Sequence, residues 1–340
     1  MTKYPFTPRN SEYRKAFGGA RVIITGGLGF IGSNIAHALV PAGADVTVLD
    51  ANLALYGANR FNLQGIEEKL RIVGGDIRDQ QLMNDLVQGQ DFVFNLAAQV
   101  SYIDSLKDPF LDLDMNCVGH LRVLEAVRAH APNAKLLFSS SRLVYGKVLT
   151  TPVDESHPTN PLSIYGVHKL AAEKYYRTYY DRYGVRSSVL RIPNPYGPRQ
   201  QMKHAKYSIV GWFIRQAVEG GTIEVFGDGT QERDYLYISD LVDAFLRVAA
   251  SDRTNGEVYN IGTHERVRFI DMVDTILDVV GSGRKAHVPW PENYERNETG
   301  DYVADTRKIE TAVGWQARVP LRKGIEEMVV YSRAHRDRYW

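Results

Sequence analysis

The sequence has little cysteine, with one residue among 340. A single thiol excludes an internal disulfide and a cysteine-based zinc site. Cys117 lies in an apolar helical stretch, so we expect it to be buried and not to act as a nucleophile. The nine histidines lack the H-E-x-x-H spacing of zinc enzymes, and no G-x-S-x-G nucleophile elbow occurs. We therefore expect neither a metal site nor a serine-hydrolase site.

An excess of one charge and long apolar runs are also lacking. The chain has 41 Lys and Arg against 40 Asp and Glu, which argues against nucleic acid or an anionic membrane as a partner. No apolar run approaches the roughly 20 residues that span a bilayer. The chain opens with the polar segment MTKYPFTPRNSEYRKAFGG and not with an apolar secretory signal. We expect a soluble protein of a reducing compartment, the cytoplasm.

The first half of the chain alternates short apolar runs with helical segments. With 340 residues, of which 44% are hydrophobic, it can form one large unit or two closely joined ones. Continuous apolar strands that alternate with helices predict a parallel sheet covered on both faces, as in a Rossmann-like doubly wound α/β fold. The predicted strands are 20–26, 45–50, 70–76, 91–98, 134–141 and 186–192, and the predicted helices are 29–43, 109–131 and 163–183.

The pattern changes after Asn194, where a polar loop with proline and glycine begins. Helices are predicted near 206–220 and 239–251, strands at 222–227 and 257–262, and a tail of loops and short helices over 264–340. Three units follow from this change. They are an N-terminal extension or loosely attached arm (1–19), a first domain (20–193 with about 239–262), and a smaller C-terminal lobe (194–238 and 263–340).

A glycine-rich loop, TGGLGFIGS, joins the first predicted strand to the first predicted helix. Gly26, Gly29 and Gly32 allow a tight turn, close approach of the backbone to a pyrophosphate, and close helix packing. The phosphates would lie at the helix N-terminus. Asp50 ends the second strand, 18 residues after Gly32, where it would bind ribose hydroxyls and repel a 2′-phosphate. This context favours NAD over a simple tight turn followed by a capping Asp.

Two further strand ends are candidates for the cofactor side. Asp76 and Ile77 follow the third strand, where an adenine edge would lie, although a turn-forming Asp explains Asp76 equally well. Leu96, Ala97 and Ala98 follow the fourth strand. The small residues among them either let a cofactor pass close to the backbone or pack beneath a helix.

Tyr165 and Lys169 are four residues apart in a predicted helix and therefore share one face. An ammonium group beside a phenol favours the phenolate, so we expect the pKa of Tyr165 to lie below its ordinary value of about 10. Ser139, Ser140 and Ser141 end a predicted core strand, at the sheet edge where ligands bind in such folds. Each feature alone is weak, because tyrosine is abundant and serines commonly cap loops, but the combination with the glycine loop is specific.

These residues resemble the extended short-chain dehydrogenases/reductases, the NAD-dependent sugar-nucleotide epimerases and dehydratases. The segments TGGLGFIG, DLDMNCVGHLRVLEA, FSSSRLVYG, YGVHK, RIPNPYGPRQ, GDGTQERDYLYISDLVDAF and YNIG match that family's blocks in order, over about residues 20–320. The resemblance implies a two-lobed fold with an NAD-binding first domain. It also implies a nucleoside-diphosphate sugar, by preference a UDP-sugar, in the cleft between the lobes, and a homodimer.

The resemblance also assigns roles by matching positions. Tyr165 would be the base, Lys169 would hold the nicotinamide ribose, and Ser141 would be the hydroxyl partner. Asn194 and Arg233 would hold the diphosphate, although an ion pair with Asp234 is the alternative for Arg233. The implied cofactor contacts are Gly26, Gly29, Phe30, Ile31, Gly32, Asp50, Asn52, Asp76, Ile77, Leu96, Ala97, Ala98, Asn116, Tyr165 and Lys169; the implied substrate contacts are Ser101, Tyr102, Ser141, Asn194, Arg199, Gln201, Val210, Phe226, Arg233 and Asp301.

The sequence departs from the family's pattern at two places on the substrate side. Glu298 stands where the family often has a phosphate-binding Arg, so either Arg296 substitutes or the grip on the diphosphate differs. Gln201 stands where the resemblance would place a second Arg in epimerases of uronic acids. Arg199 or Lys203 could read a carboxylate in its place.

The residues after Ser141 bear on the reaction. Dehydratases of the family carry Asp-Glu there, and decarboxylating relatives keep a Glu at the second position, whereas this chain has Arg142 and Leu143. Leucine cannot transfer a proton. We therefore predict 4-epimerisation of a UDP-sugar, of the glucose/galactose or the glucuronate/galacturonate type, through a transient 4-keto sugar. The alternatives are a UDP-glucuronate decarboxylase, an epimerase of a dTDP-, CDP- or GDP-sugar, and a non-catalytic NAD-binding regulator.

Apolar faces on segments 109–131 and 163–183 could pair across a two-fold axis, which predicts a homodimer. The alternative is that these faces only cover the sheet.

Overall fold

A seven-stranded parallel sheet forms the centre of the computed structural model, which describes residues 10–206 and 209–340. The strands are β1 (Arg21–Thr25), β2 (Asp45–Asp50), β3 (Arg71–Gly74), β4 (Phe92–Asn95), β5 (Lys135–Ser141), β6 (Ser187–Ile192), β7 (Asn194–Tyr196), β8 (Thr222–Phe226), β9 (Glu232–Arg233), β10 (Tyr235–Tyr237), β11 (Val258–Asn260), β12 (Val267–Arg268) and β13 (Arg284–Val288). The central sheet has the order β3-β2-β1-β4-β5-β6-β11. The predicted Rossmann-like doubly wound α/β fold is confirmed.

Helices cover both faces of this sheet and build most of the remaining chain. They are α1 (Asn10–Phe17), α2 (Phe30–Ala42), α3 (Gln80–Val87), α4 (Tyr102–Lys107), α5 (Pro109–Leu113), α6 (Gly119–His130), α7 (Ile164–Tyr183), α8 (Ile209–Val218), α9 (Ile238–Ala249), α10 (Phe269–Val280), α11 (Glu292–Glu295), α12 (Arg307–Val313), α13 (Leu321–Ala334) and α14 (Arg336–Tyr339). Over the described residues, none of these helices is both long and apolar enough to cross a bilayer.

The strands are apolar throughout because both faces of the sheet are buried. In β1, Val22 and Ile24 belong to one core and Ile23 to the other, since successive side chains point to opposite faces. In β5, Leu137 joins the first core and Phe138 the second. The first core is covered by α2 and α9 and the second by α3, α6 and α7. This double cover explains the continuous apolar runs that predicted a parallel sheet.

The long helix α7 begins and ends at signals that the sequence carries. Ser163 caps its first turn, because the Ser163 Oγ accepts a hydrogen bond of 3.1 Å from the Gly166 N–H. Gly184 ends it in the left-handed conformation, with φ of 70°. The helix therefore has almost the predicted bounds of 163–183, and its start fixes the position of Tyr165 at the sheet edge.

The segment 109–131 is not one α-helix. Its middle part, Asp114–Val118, is a π-helical turn between α5 and α6. Such a turn re-aims the side chains that follow it and occurs often at functional sites. Cys117 lies in this turn and is buried, as predicted, and burial raises the pKa of its thiol to about 11.

The smaller sheets lie in the second half of the chain. Strands β8 and β13 pair in parallel, as do β7 and β10, while β9 and β12 are antiparallel. The chain then returns to the central sheet, because β11 pairs with β6 and α9 packs beneath it. A ring contact between Phe94 and Phe245, with centroids 6.4 Å apart, belongs to this packing. The tail was expected to hold only loops and short helices, whereas it includes β13 and the 14-residue helix α13.

The prediction of a loosely attached arm is wrong for the part of the N-terminal segment that the structure describes. Phe17 at the end of α1 is fully buried, and its ring centroid lies 4.9 Å from that of Phe92. Tyr13, one turn earlier on the same face, is buried as well. Helix α1 therefore packs on α2 and extends the core. Residues 1–9 of the predicted extension lie outside the described residues.

Candidate active site

A cavity of about 770 Å³ opens at the carboxyl ends of the central strands. One wall is formed by the glycine loop and by the last residues of β2, β5 and β6. The opposite wall is formed by α8, β8 and the segment after β13. This is the position at which open α/β sheets bind ligands, because the strand order reverses there.

The glycine loop is shaped for close approach of a ligand to the backbone. Gly26 has φ of 69°, and a Cβ atom there would lie 2.9 Å from the Ala97 nitrogen. A Cβ atom on Gly32 would lie 2.5 Å from the Gly26 oxygen. Helix α2 starts directly after Gly29, and no side chain caps its first N–H groups. Since such groups attract phosphate oxygens, the loop fits the pyrophosphate of a dinucleotide.

Asp50 lies at the carboxyl end of β2 and lines the cavity. Its Oδ2 accepts a hydrogen bond of 2.9 Å from the Leu28 N–H, and its Oδ1 accepts one of 2.8 Å from the Asn52 N–H. Burial raises the pKa of Asp50 above its ordinary value. Each carboxylate oxygen can accept a second hydrogen bond, so both remain available to ribose hydroxyls. The positive φ of Asn52, 55°, forms the turn that brings its N–H to Asp50.

The other predicted cofactor residues follow the neighbouring strands. Asp76 lines the cavity and forms a 2.7 Å ion pair with Arg78. The N–H groups of Leu96 and Ala97 donate to Thr25 Oγ1 at 3.1 and 3.2 Å, which holds this backbone against β1. The residues Phe30, Ile31, Ile77 and Ala98 line the cavity as well.

Tyr165, Lys169 and Ser141 meet at the end of β5. Lys169 Nζ donates to the Ser139 carbonyl at 3.1 Å and lies 5.8 Å from the centroid of the Tyr165 ring. The Ser141 side chain lies near the Tyr165 phenol and lowers its pKa, which favours the phenolate. The Tyr165 N–H donates to Ser105 Oγ at 3.1 Å and so fixes the first turn of α7. The structure therefore brings together the three side chains that the sequence predicted as catalytic.

The expected direction of the Tyr165 pKa is wrong for this structure. Burial raises the pKa of the Tyr165 phenol, and the Asp112 carboxylate acts in the same direction. Burial also lowers the pKa of Lys169 to about 8, against the effect of Asp112. On burial each charged form loses its hydration, and this cost exceeds the effects of the neighbouring groups that favour the charged forms.

A buried ion pair supports the serine segment. Glu173 on α7 and Arg191 on β6 lie 2.6 Å apart, with both side chains almost fully buried. Ser140 Oγ donates to the Glu173 Oε1 at 2.5 Å, and Arg191 donates to the Tyr145 hydroxyl at 2.8 Å. The end of β5 is thus tied to α7 and β6 through charged hydrogen bonds, which are the stronger kind.

Arg233, predicted to hold a diphosphate, lines the cavity but has a protein partner. Its Nη2 lies 2.5 Å from Glu298 Oε1, and its Nη1 donates to the Gly300 carbonyl at 2.9 Å. The alternative ion pair with Asp234 is wrong, because Asp234 accepts instead from the Thr263 N–H at 3.0 Å. The residue that departs from the family's pattern, Glu298, therefore holds this arginine.

Several predicted residues lie outside the cavity wall. Ser101 caps α4, Asn116 Nδ2 donates to the Gln99 carbonyl at 3.0 Å, and Asp301 accepts from the Glu232 N–H at 2.8 Å. Arg199 donates to Asn34 Oδ1 at 2.8 Å. Arg296 is mostly exposed and pairs with Glu292. The residues outside the wall are Asn52, Ser101, Asn116, Arg199, Lys203, Arg296 and Asp301.

An aromatic cluster on the far wall was only partly predicted. Phe226 was expected there, and Asn194, Tyr102, Gln201 and Val210 line the same cavity. Trp290 and Tyr294 were missed, although their rings lie 5.6 and 5.4 Å from that of Phe226. They come into place because β13 pairs with β8, with Val288 opposite Phe226. The sequence indicates this strand only weakly, since β13 has the polar sequence RKAHV.

A glycine loop that fits a dinucleotide, together with Ser141, Tyr165 and Lys169 in the same cavity, is typical of a short-chain dehydrogenase/reductase. Residues 23–328 match the profile described as GDP-mannose 4,6-dehydratase. A UDP-glucose 4-epimerase of Mycolicibacterium smegmatis is 33% identical over 316 residues, which cover 92% of this chain and 98% of the relative. A dTDP-glucose 4,6-dehydratase of the same organism is 30% identical over 331 residues, covering 94% and 95%. The chain belongs to this family of sugar-nucleotide epimerases and dehydratases and is an enzyme.

Solved structures agree with this assignment. The UDP-glucose 4-epimerase of Thermotoga maritima with UDP-glucose has a TM-score of 0.85 at 29% identity, covering 93% of this chain and 99% of that one. The UDP-glucose 4-epimerase of Thermus thermophilus with NAD has a TM-score of 0.81 at 31% identity, covering 92% and 99%. MoeE5 in complex with UDP-glucuronic acid and NAD has a TM-score of 0.80 at 28% identity, covering 93% and 100%.

Proposed function

We propose that the protein is an NAD-dependent 4-epimerase of a UDP-sugar. The observation that carries this proposal is the pair Arg142–Leu143, which follows Ser141 on the cavity wall and supplies no carboxylate. Of the described residues that line the cavity, the acidic ones are Asp50, Asp76, Glu224 and Glu298. The Glu298 carboxylate is held by Arg233 and by the Gly300 N–H. Elimination of water needs an acid and a base beyond Tyr165.

The glycine loop, Asp50 and Lys169 would hold NAD, which accepts a hydride from the sugar and returns it when bound. The Tyr165 oxygen takes the proton of the 4-hydroxyl while C4 loses its hydride. Ser141 lies near that oxygen and lowers the pKa of the phenol, so it supports this proton transfer. Because burial raises the pKa of Tyr165, the phenolate needs a cation nearby, and Lys169 supplies one. Return of the hydride to the other face of C4 would give the 4-epimer, and Tyr165 would give the proton back to the C4 oxygen.

A UDP-sugar is the substrate class that the surroundings support best. Phe226, Trp290 and Tyr294 offer aromatic faces at the far wall, which suit a base such as uracil. The relatives and solved structures named above as UDP-glucose 4-epimerases point the same way.

The test is to incubate the purified protein with UDP-glucose, UDP-N-acetylglucosamine and UDP-glucuronate, and to follow the products by NMR. We expect a 4-epimer without net formation of NADH. A 4-keto-6-deoxy sugar would show a dehydratase, and a pentose with release of CO₂ would show a decarboxylase. Tyr165→Phe, which keeps the ring and removes the hydroxyl, is expected to lower kcat at least 10³-fold and to keep NAD binding within a few-fold. Full turnover in this variant would contradict the proposed mechanism.

Three further assignments accompany this function. We infer an NAD-binding domain of residues 20–193 with about 239–262, and a sugar-nucleotide lobe of 194–238 and 263–340. We infer a homodimer, since Phe110, Leu106 and Val167 on the adjoining helices α5, α4 and α7 are 78%, 47% and 49% exposed. A cytoplasmic location agrees with the free, buried Cys117.

A further inference from the structure

Arg142 is a cation on the cavity wall, and among the described residues it forms no ion pair. Its Nη1 donates to Thr299 Oγ1 at 2.9 Å, and its guanidinium lies over the Tyr302 ring, 5.4 Å from the centroid. No carboxylate of the described residues lies within ion-pair distance of it. Burial, together with Arg233, lowers the pKa of Arg142 to about 10, while the Tyr302 phenol and the Glu298 carboxylate act in the opposite direction, so the group stays charged at neutral pH.

The other cations of this cavity are accounted for. Among the described residues that line it, Lys206 pairs with Asp104 at 2.8 Å and Arg233 pairs with Glu298. Lys169 serves the tyrosine, as described above. Arg142 is thus the one lining cation of the described chain that has neither a carboxylate partner nor a place in the reaction. A desolvated guanidinium in this situation favours an anionic ligand.

A second donor lies close to Arg142. Tyr235 lines the cavity and is buried, and its hydroxyl has no hydrogen-bond partner among the described residues. Arg142 and Arg233 both act electrostatically on this hydroxyl. A buried donor without a partner destabilises the folded state, and an anionic oxygen held by Arg142 could satisfy it.

The position of Arg142 identifies which anion fits. Arg142 follows Ser141, whose side chain lies near the phenol that would take the 4-hydroxyl proton. In a hexose, the reacting C4 has two ring neighbours: C3, which bears a hydroxyl, and C5, which bears C6. Of these two substituents only C6 can be anionic, since it is a neutral CH₂OH in glucose and a carboxylate in glucuronate. We propose that Arg142 binds the C6 carboxylate of the sugar, so that the substrate is a UDP-hexuronate. This inference rests on the proposed 4-epimerase function.

The same cationic corner could instead receive the diphosphate, which also presents anionic oxygens. Calorimetry on the NAD-loaded enzyme with UDP, UDP-glucose and UDP-glucuronate gives binding constants that distinguish the C6 carboxylate from the diphosphate as the group bound by Arg142. Arg142→Gln removes the charge, and Arg142→Lys keeps it without the planar fork. We expect Arg142→Gln to weaken UDP-glucuronate binding by about 10- to 100-fold and UDP binding by less than threefold, because a hydrogen bond to a charged group is lost only for the uronate. Arg142→Lys should recover at least half of that loss on a logarithmic scale.

An equal loss for UDP and UDP-glucuronate in Arg142→Gln would assign the residue to the diphosphate and overturn the proposal. Conversion of UDP-glucose without conversion of UDP-glucuronate by the unaltered enzyme would also overturn it while leaving the 4-epimerase function intact. Conversion of no sugar nucleotide would overturn the function itself. If Arg142→Gln does not fold, Tyr235→Phe is the second variant, since it removes a hydroxyl that has no hydrogen-bond partner in the part of the chain that the structure describes. It should weaken UDP-glucuronate binding about three- to tenfold and leave UDP binding unchanged, and an equal effect on both would contradict the proposal.

Discussion

Lys169→Met is expected to stabilise the nucleotide-free protein while it abolishes turnover. Lys169 is almost fully buried, and burial lowers its pKa from 10.5 to about 8. A difference of about 2.5 pKa units corresponds to about 3 kcal/mol, because one unit is 1.36 kcal/mol. The hydrogen bond to the Ser139 carbonyl, which Met cannot make, offsets about 1 kcal/mol. A net gain of about 2 kcal/mol in the free energy of unfolding at pH 7 remains.

The stabilising effect of Lys169→Met should decrease as the pH rises. The pKa of folded Lys169 lies below that of the unfolded chain, so the folded state carries the full cost of the buried charge below pH 8. As the pH rises from about 8 towards 10.5, folded Lys169 gives up its proton before the unfolded chain does, and the cost disappears. The advantage of Lys169→Met should therefore shrink over this range.

Urea unfolding of both proteins at pH 7 and pH 9.5, after removal of nucleotide, measures the effect. The difference between the two proteins cancels the contribution of Lys135, another buried lysine, whose pKa burial lowers to about 7. A variant that is less stable than the parent at pH 7, or a difference that grows with pH, would refute the reasoning.

Gly26→Ala should weaken NAD binding at least tenfold, because the new Cβ would meet the Ala97 backbone. Gly65→Ala is the control. Gly65 also has a positive φ, 87°, so the substitution brings the same backbone strain, but the space around it is open and NAD should bind normally. Glu173→Gln should lower the free energy of unfolding by about 3–5 kcal/mol, since it leaves Arg191 buried without a counterion; a loss below 1 kcal/mol in urea unfolding would contradict this. Phe110→Glu should convert a dimer to a monomer in light scattering; an unchanged mass would place the interface elsewhere.

The central sheet could be predicted because its strands are buried on both faces and so stand out as continuous apolar runs. Strand β13 could not, because RKAHV is partly exposed and carries no such signal. Helix α1 was misjudged for a related reason. Of the α1 side chains that the structure describes, Tyr13 and Phe17 are the buried ones, and the segment around them is polar.

Some features of the candidate site could likewise be predicted from the sequence, and others could not. Local spacing was enough to predict that Tyr165 and Lys169 share a helix face, and strand ends were enough to predict Asp50 and Ser141 on the wall. The partner of Arg233 lies 65 residues away and depends on how two loops meet in three dimensions. The pKa of Tyr165 depends on the depth of its burial, which spacing along the chain does not report.

The two residues after Ser141 have complementary effects on the chemistry that the site allows. Leu143 lies on the wall and cannot exchange a proton, so a 4-keto sugar formed by Tyr165 meets no acid there that would drive elimination. Arg142 adds charge at the same place without adding a proton shuttle, since the pKa of its guanidinium, about 10, keeps it protonated at neutral pH. A carboxylate bound to it would keep its negative charge, and loss of CO₂ would require that charge to leave the cation for the C4 oxygen. Under the proposed function, the pair therefore favours return of the hydride over both elimination and decarboxylation.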